Sequence, residues 1–161
     1  MVIRPARPDE FEAIGELVVA AYRQLPDAAL TVGYERGLRD MAARAAVATV
    51  LVAIEDDGTP LGSVTYVDGP GPLAEDDAPD EAHVRMLAVA PSAQGRGVGR
   101  ALMDACIQRA RDAGKRRVLL RTRASMTRAH RLYADLGFRR EPPLDRDRPA
   151  ARLLAYALQL S

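Results

Sequence analysis

One short stretch constrains this chain more than any other. Gln94-Gly95-Arg96-Gly97-Val98-Gly99-Arg100 stands directly after a strand-like run, His83 to Val89, and directly before an amphipathic helical pattern. Glycines let the backbone approach a ligand closely, and the first N–H groups of the following helix point outward with partial positive charge. A loop so placed prefers an anion, above all a pyrophosphate; its plain alternative is a flexible strand-to-helix turn. Two nucleotide-binding patterns fail here. The dinucleotide fingerprint needs a glycine where Arg100 or Leu102 stands, and the ATPase phosphate loop needs Gly-Lys-Ser/Thr, so neither NAD nor ATP fits.

The elements around this loop follow from periodicity. Val2-Ile3-Arg4 reads as a first strand, and Pro8, Asp9 and Glu10 suit the first turn of a helix carrying Phe11, Ile14, Leu17, Val18, Ala21 and Tyr22 on one face. Pro26 breaks that helix, and a weaker helical stretch runs from about Tyr34 to Ala46. Thr49 to Ile54, the turn signal Asp57-Gly58, and Leu61 to Val67 predict an antiparallel pair. From Asp68 to Asp80 glycines and prolines deny regular structure. After the phosphate-loop helix, which Gly114 should end, Val118 to Leu120 is a buried strand. A helix bearing Ala129, Leu132, Tyr133 and Leu136 follows and stops at Gly137, and Phe138 and Leu153 to Leu160 give the last strands. With 161 residues and no repeat or linker, the chain is expected to form one domain over 1–161, an α/β (α+β) arrangement of helices around one sheet.

Composition removes several classes of function. Cys106 is the sole cysteine, which excludes an intramolecular disulfide, a cysteine zinc site and a dithiol redox pair, and its apolar helical setting points to a buried thiol. Basic and acidic residues number 23 and 22, so no net positive field favours nucleic acid. No apolar run approaches a membrane span, and the amino-terminal residues leave no room for a signal peptide, so a cytoplasmic protein without membrane attachment is expected.

The loop resembles the Gln/Arg-x-x-Gly-x-Gly/Ala pattern of the GNAT acyltransferase superfamily, matched by Gln94, Gly97 and Gly99. Upstream, Arg85-Met86-Leu87-Ala88-Val89-Ala90-Pro91 is similar to that fold's fourth strand. Downstream, Ala129 to Phe138 is similar to its second signature, Ala-x-x-Leu-Tyr-x-x-x-Gly-Phe. The likeness is close over roughly residues 81 to 140 and agrees before that in element order alone. It implies a mixed, mostly antiparallel sheet of six to seven strands flanked by about four helices. It also implies acetyl-CoA as cosubstrate, with no metal. The pyrophosphate would lie on Gln94, Gly95, Arg96, Gly97, Val98, Gly99 and Arg100, and the pantetheine arm on a bulged Leu87-Ala88-Val89. Arg96 and Arg100 could add charge-assisted contacts, with solvated surface as the equal alternative; His130 and the arginines from Arg116 to Arg131 carry less weight. One departure is Met126, where many members have an asparagine that contacts CoA, and that contact does not carry over.

Acylating an amine with a thioester requires a neutral amine, stabilisation of the oxyanion and a proton for the departing thiolate. A lysine-like amine has a pKa of about 10.4, so a base or water chain must remove a proton. His83 is the first candidate base, with an imidazole pKa of about 6.5, and Glu81, two residues earlier on the same strand face, is the second. Their plain alternatives are a half-buried strand residue and a solvated loop carboxylate. Tyr133 lies on an apolar helix stripe and reads equally as a core aromatic, but the resemblance implies a general acid near the CoA sulfur. Backbone N–H groups near Leu87 to Val89 would stabilise the oxyanion. Glu75, Asp76, Asp77, Asp80 and Glu81 could steer a cationic acceptor, or simply hydrate a loop.

The expected reaction is direct acetyl transfer through a ternary complex to a small-molecule or peptide amine. Two rivals stand beside it. One is a transferase for a longer acyl-CoA or a hydroxyl acceptor; the other is a silent acyl-CoA sensor or interaction domain, motivated by Met126 and the absence of a glutamate at the usual base position. A homodimer stays open.

Overall fold

The computed structural model describes residues 1–161 apart from Ala29, Glu75, Asp77 and Ala150. The chain begins with strand β1 (Val2–Pro5), a 3-10 turn at Pro8–Glu10 and helix α1 (Phe11–Arg23). Helices α2 (Val32–Arg39) and α3 (Met41–Val47) lead into strands β2 (Thr49–Ile54), β3 (Pro60–Val67) and β4 (Glu81–Val89). Helix α4 (Val98–Asp112), β5 (Arg117–Arg123) and α5 (Thr127–Asp135) follow, then β6 (Arg139–Arg140), β7 (Arg146–Arg148) and β8 (Ala151–Gln159).

The stretch expected as one helix from about Tyr34 to Ala46 is two. Asp40 ends α2 and starts α3, its carboxylate accepting the Ala43 N–H at 3.1 Å. A short acidic side chain that captures a first-turn N–H starts a new helix more readily than it continues an old one. Pro8 likewise opens a single 3-10 turn before α1 rather than the helix itself.

Among the described residues the sheet has eight strands in the order β1-β2-β3-β4-β5-β8-β6, with β7 also on β8. All pairs are antiparallel except β4 with β5. Helix α4 covers one face, where Leu102, Met103 and the lone thiol Cys106 pack with Val84, Val118 and Leu120. Helix α1 covers the other, where Ile14 and Val18 meet Val50, Val52 and Ile54. Burying an aliphatic side chain contributes about 1.5–3 kcal/mol, so these two layers hold the sheet between them. No helix among the described residues is long and apolar enough to cross a membrane.

Two irregularities shape the middle of the sheet. The β4–β5 ladder runs from Glu81–Arg117 to Val84–Leu120 and stops, after which β4 stays with β3 and β5 with β8. The two strands therefore diverge into a fork. On the β4 prong the register passes from Thr65–Arg85 to Ser63–Ala88, leaving Met86 and Leu87 opposite Val64 alone. This is a bulge, and Met86 takes φ +57°, a left-handed conformation that costs a non-glycine residue roughly 1–2 kcal/mol. Strain of this kind concentrates at functional sites.

Candidate functional site

A cavity of about 590 Å³ opens in the fork, within the size range of small-molecule sites. Met86 and Leu87 of the bulge line one prong, Thr122 the other, and Met126 and Tyr133 close it from the α5 side. The register gives Met86 and Leu87 no rung on β3, so the bulged backbone is presented toward the opening rather than along the ladder.

Tyr133 is 5% exposed and packs at 5.8 Å between ring centroids against both Phe138 and Tyr156. Burial, with neighbouring Tyr22, Cys106 and Tyr156 adding to it, pushes the phenol well above its ordinary range. The hydroxyl thus keeps its proton at neutral pH and can donate it. Periodicity placed this residue on an apolar stripe, and that is correct, yet the same stripe faces the cavity.

The glycine loop follows β4 and the 3-10 turn at Pro91–Ala93, and Gln94 to Gly97 are exposed. Gly95 and Gly97 have φ +80° and +78°, conformations that side chains rarely adopt. Gly97 caps α4, and its carbonyl accepts the Ala101 N–H at 3.0 Å, so the N–H groups of Val98, Gly99 and Arg100 begin the helix without partners on a preceding turn. Gly99 serves a different purpose: a Cβ there would lie 3.3 Å from Leu132 Cδ2, so its absence lets α4 sit close to α5. The loop fits a diphosphate by this donor chemistry. Arg96 is ion-paired with Glu55, and Gln94 accepts from Arg128 Nη1 at 2.8 Å.

Glu81 and His83 lie deeper on β4 than the cavity, and neither lines it. His83 is 0% exposed, with Nε2 3.9 Å from Asp76 Oδ1. Glu81 accepts at Oε1 from both Arg116 Nη2 and Arg117 Nε at 2.8 Å. Burial raises the Glu81 carboxyl, and the proton it shares with Asp76 raises it further against the pull of Arg117. Asp76, Glu81 and His83 offer ligand atoms within 4.8 Å of one another, but two guanidinium groups already hold Glu81, which suits proton sharing better than a cation. Asp80 is taken up by Arg116 at 2.9 Å. Glu75 and Asp77 lie outside the described residues.

His130 is a structural contact, its Nε2 3.0 Å from the Arg123 carbonyl. At the position where asparagine was expected, Met126 stands at the N-terminus of α5 with its sulfur 3.5 Å from the Thr122 hydroxyl. Sequence reasoning missed the far wall of the cavity. Tyr22 of α1, Tyr34 of α2, and arginines from β4, β5 and β7 meet there. The only signal was the arginine excess, spread over segments far apart in sequence.

Comparison with known proteins shows what the chain is similar to. The model of the acetyltransferase (GNAT) family matches residues 12–138. A mycothiol acetyltransferase of Cellulomonas flavigena is 43% identical over 88 residues, 53% of this chain and 25% of that protein. The chain thus spans about a quarter of that relative's length. A Salmonella typhimurium structure solved with its cofactor acetyl-CoA superposes at a TM-score of 0.74 with 25% identity, covering 99% of this chain and 94% of the other. The ribosomal-protein-S18-alanine N-acetyltransferase of Escherichia coli shares the fold at a TM-score of 0.74 and 21% identity, with coverages of 99% and 94%.

Proposed function

This chain belongs to the acetyltransferase (GNAT) family, and from that premise we propose that it moves the acetyl group of acetyl-CoA to an amine, by direct attack within a ternary complex. The observation that carries the reading is the fork, whose bulged prong and buried Tyr133 face one cavity. A protein of the same fold, solved with acetyl-CoA, supports the donor.

Acetyl-CoA supplies the activated thioester carbonyl. Around it each residue has a task that its position allows. The N–H groups at the start of α4, with Gly95 and Gly97 keeping the loop low, hold the diphosphate at the rim. The unpaired stretch Met86–Leu87 offers backbone donors for the arm and for the negative charge that develops on the carbonyl oxygen. Tyr133, held protonated by burial, gives its proton to the departing sulfur.

Removal of the amine's proton falls to His83 through water. It shares a strand face with Arg85, which lines the cavity two residues on. Asp76 beside it favours the imidazolium that results. Glu81 supports this pair from behind rather than meeting the substrate.

Thiol release from acetyl-CoA, followed against pools of amines, tests the reading. Turnover with at least one amine, abolished or strongly reduced in Tyr133→Phe, is expected. Acetyl-CoA binding with no thiol released from any amine would instead make the chain a sensor.

A further inference from the structure

Aromatic residues are scarce in this chain and unevenly placed. It has five tyrosines, two phenylalanines and no tryptophan, and three of those tyrosines, Tyr22, Tyr34 and Tyr133, line the cavity at the fork. Proton donation accounts for Tyr133 and leaves the other two without a task. Tyr22 and Tyr34 come from different helices, α1 and α2, and their rings lie 6.5 Å apart between centroids with a tilt of 47°. A third ring set against both would make the tilted or offset contacts that aromatic pairs favour.

The fold itself makes little use of these two side chains at their polar ends. Tyr22 is 8% exposed, yet its hydroxyl has no hydrogen-bond partner among the described residues. A tyrosine so deeply buried ordinarily finds one, so that end is left to the cavity it lines. Tyr34 is 45% exposed, and the residue α2 buries is Leu38 instead. Met86 in the bulge and Met126 at the start of α5 line the same space. Thioethers are soft and adaptable and make favourable contacts with ring edges. The arginines of the lining are engaged with the protein: Arg85 and Arg121 donate to the Leu73 and Leu144 carbonyls, and Arg123 lies 3.8 Å from Asp27. A guanidinium held in this way still presents a planar face on which a ring can stack. Tyr22 is also near enough to Tyr133 to help raise its phenol, which puts the tyrosine pair beside the proton donor.

Resting on the acetyl-transfer reading, we propose that the acceptor is an amine that carries an aromatic ring, the ring held by Tyr22, Tyr34 and the two methionines while the amine points to the fork. Recognition of this kind asks for no charge on the acceptor beyond its amine. Tyr22 and Tyr34 are then specificity residues that touch the acceptor and not the donor.

Matched ligands test the ring apart from catalysis. N-acetylphenethylamine and its cyclohexyl counterpart are both neutral and of nearly one size, and only the first is aromatic. In calorimetric titration of the CoA-loaded protein, the phenyl compound should bind about tenfold more tightly. Thiol release from acetyl-CoA with the two free amines gives the kinetic counterpart, with the same order in kcat/KM. Tyr34→Ala and Tyr22→Leu should each erase most of the preference with acetyl-CoA affinity unchanged, whereas Tyr34→Phe and Tyr22→Phe should keep it. If Tyr22→Leu fails to fold, Tyr34→Ala at the exposed position on α2 carries the comparison. Equal or tighter binding of the cyclohexyl compound overturns the proposal, as does heat from neither, or a preference that survives the loss of either ring. A phenyl preference without thioester cleavage would sink acetyl transfer and leave the ring site standing. Cleavage with both amines and no preference in binding or kcat/KM would do the reverse.

Discussion

The two sides of the fork are built by different means. On the α4 side the chain uses backbone: left-handed glycines, the first turn of a helix and a bulge with no ladder partner. On the α1 side it uses side chains drawn from α1, α2, β4, β5 and β7. Backbone recognition requires particular residue types at fixed spacing, because only glycine adopts those conformations cheaply. Side-chain recognition requires only that suitable groups converge, whatever their order in the chain.

The sharpest way to break this contrast is at Gly97. A β-branched side chain at φ +78° costs roughly 1–2 kcal/mol and disorders the first-turn N–H groups. Gly97→Val should weaken acetyl-CoA binding by about 100-fold while leaving the order of preference among acceptors intact, as calorimetry and competing-acceptor kinetics would show. Equal damage to both sides would mean that the two are not separable.

Tyr133→Phe comes next. Loss of a positioned proton donor typically lowers kcat about 100-fold or more, and the KM for acetyl-CoA should stay within about twofold of wild type. The pH profile adds a sign. Burial raises this phenol, so the donor remains protonated through the ordinary tyrosine range near 10. The kcat of the wild type should show no descending limb there; one centred near 10 would mean the hydroxyl is solvated.

The smallest effect concerns the carboxylate beside β7. Arg140 chelates Asp145 with two bonds of 2.7 Å, the Ala155 N–H adds a third, and the carboxyl is held at about 2. A lowered folded-state pKa stabilises above the unfolded value near 4 and is lost as pH falls toward 2. Asp145→Asn should lower the melting temperature at pH 7 by a few degrees and flatten its fall between about pH 4 and pH 2. Because Asp145 adjoins β7, the same variant should raise the KM of the acceptor more than that of acetyl-CoA.

Legibility in the sequence followed the same divide. Gln94 to Arg100 and Ala129 to Phe138 could be read because each is local: a turn, a cap and a helix stripe are decided by neighbours in the chain. The order of the elements through β4, α4, β5 and α5 came with them. The break at Asp40 was missed because the alanine-rich run after it and the arginine-bearing run before it both read as helical without a break. Strand β7, three residues long and exposed, has no hydrophobic alternation to betray it. Glu81 and His83 were rightly placed on one strand face, but alternation says nothing about depth. Glu81 and His83 are both buried and outside the cavity lining, with Asp76 Oδ1 3.9 Å from His83 Nε2. The arginines of the far wall were invisible because they come from three strands, β4, β5 and β7, which only the folded sheet brings to one cavity.

One titration decides whether the glycine loop anchors the donor. Acetyl-CoA and S-acetylpantetheine carry the same thioester and arm, and only the first has a diphosphate. If the amides from Gly95 to Arg100 grip that group, acetyl-CoA should bind at one site per chain, at least about 100-fold more tightly than S-acetylpantetheine. Equal affinity for the two, or no heat from either, would contradict the account.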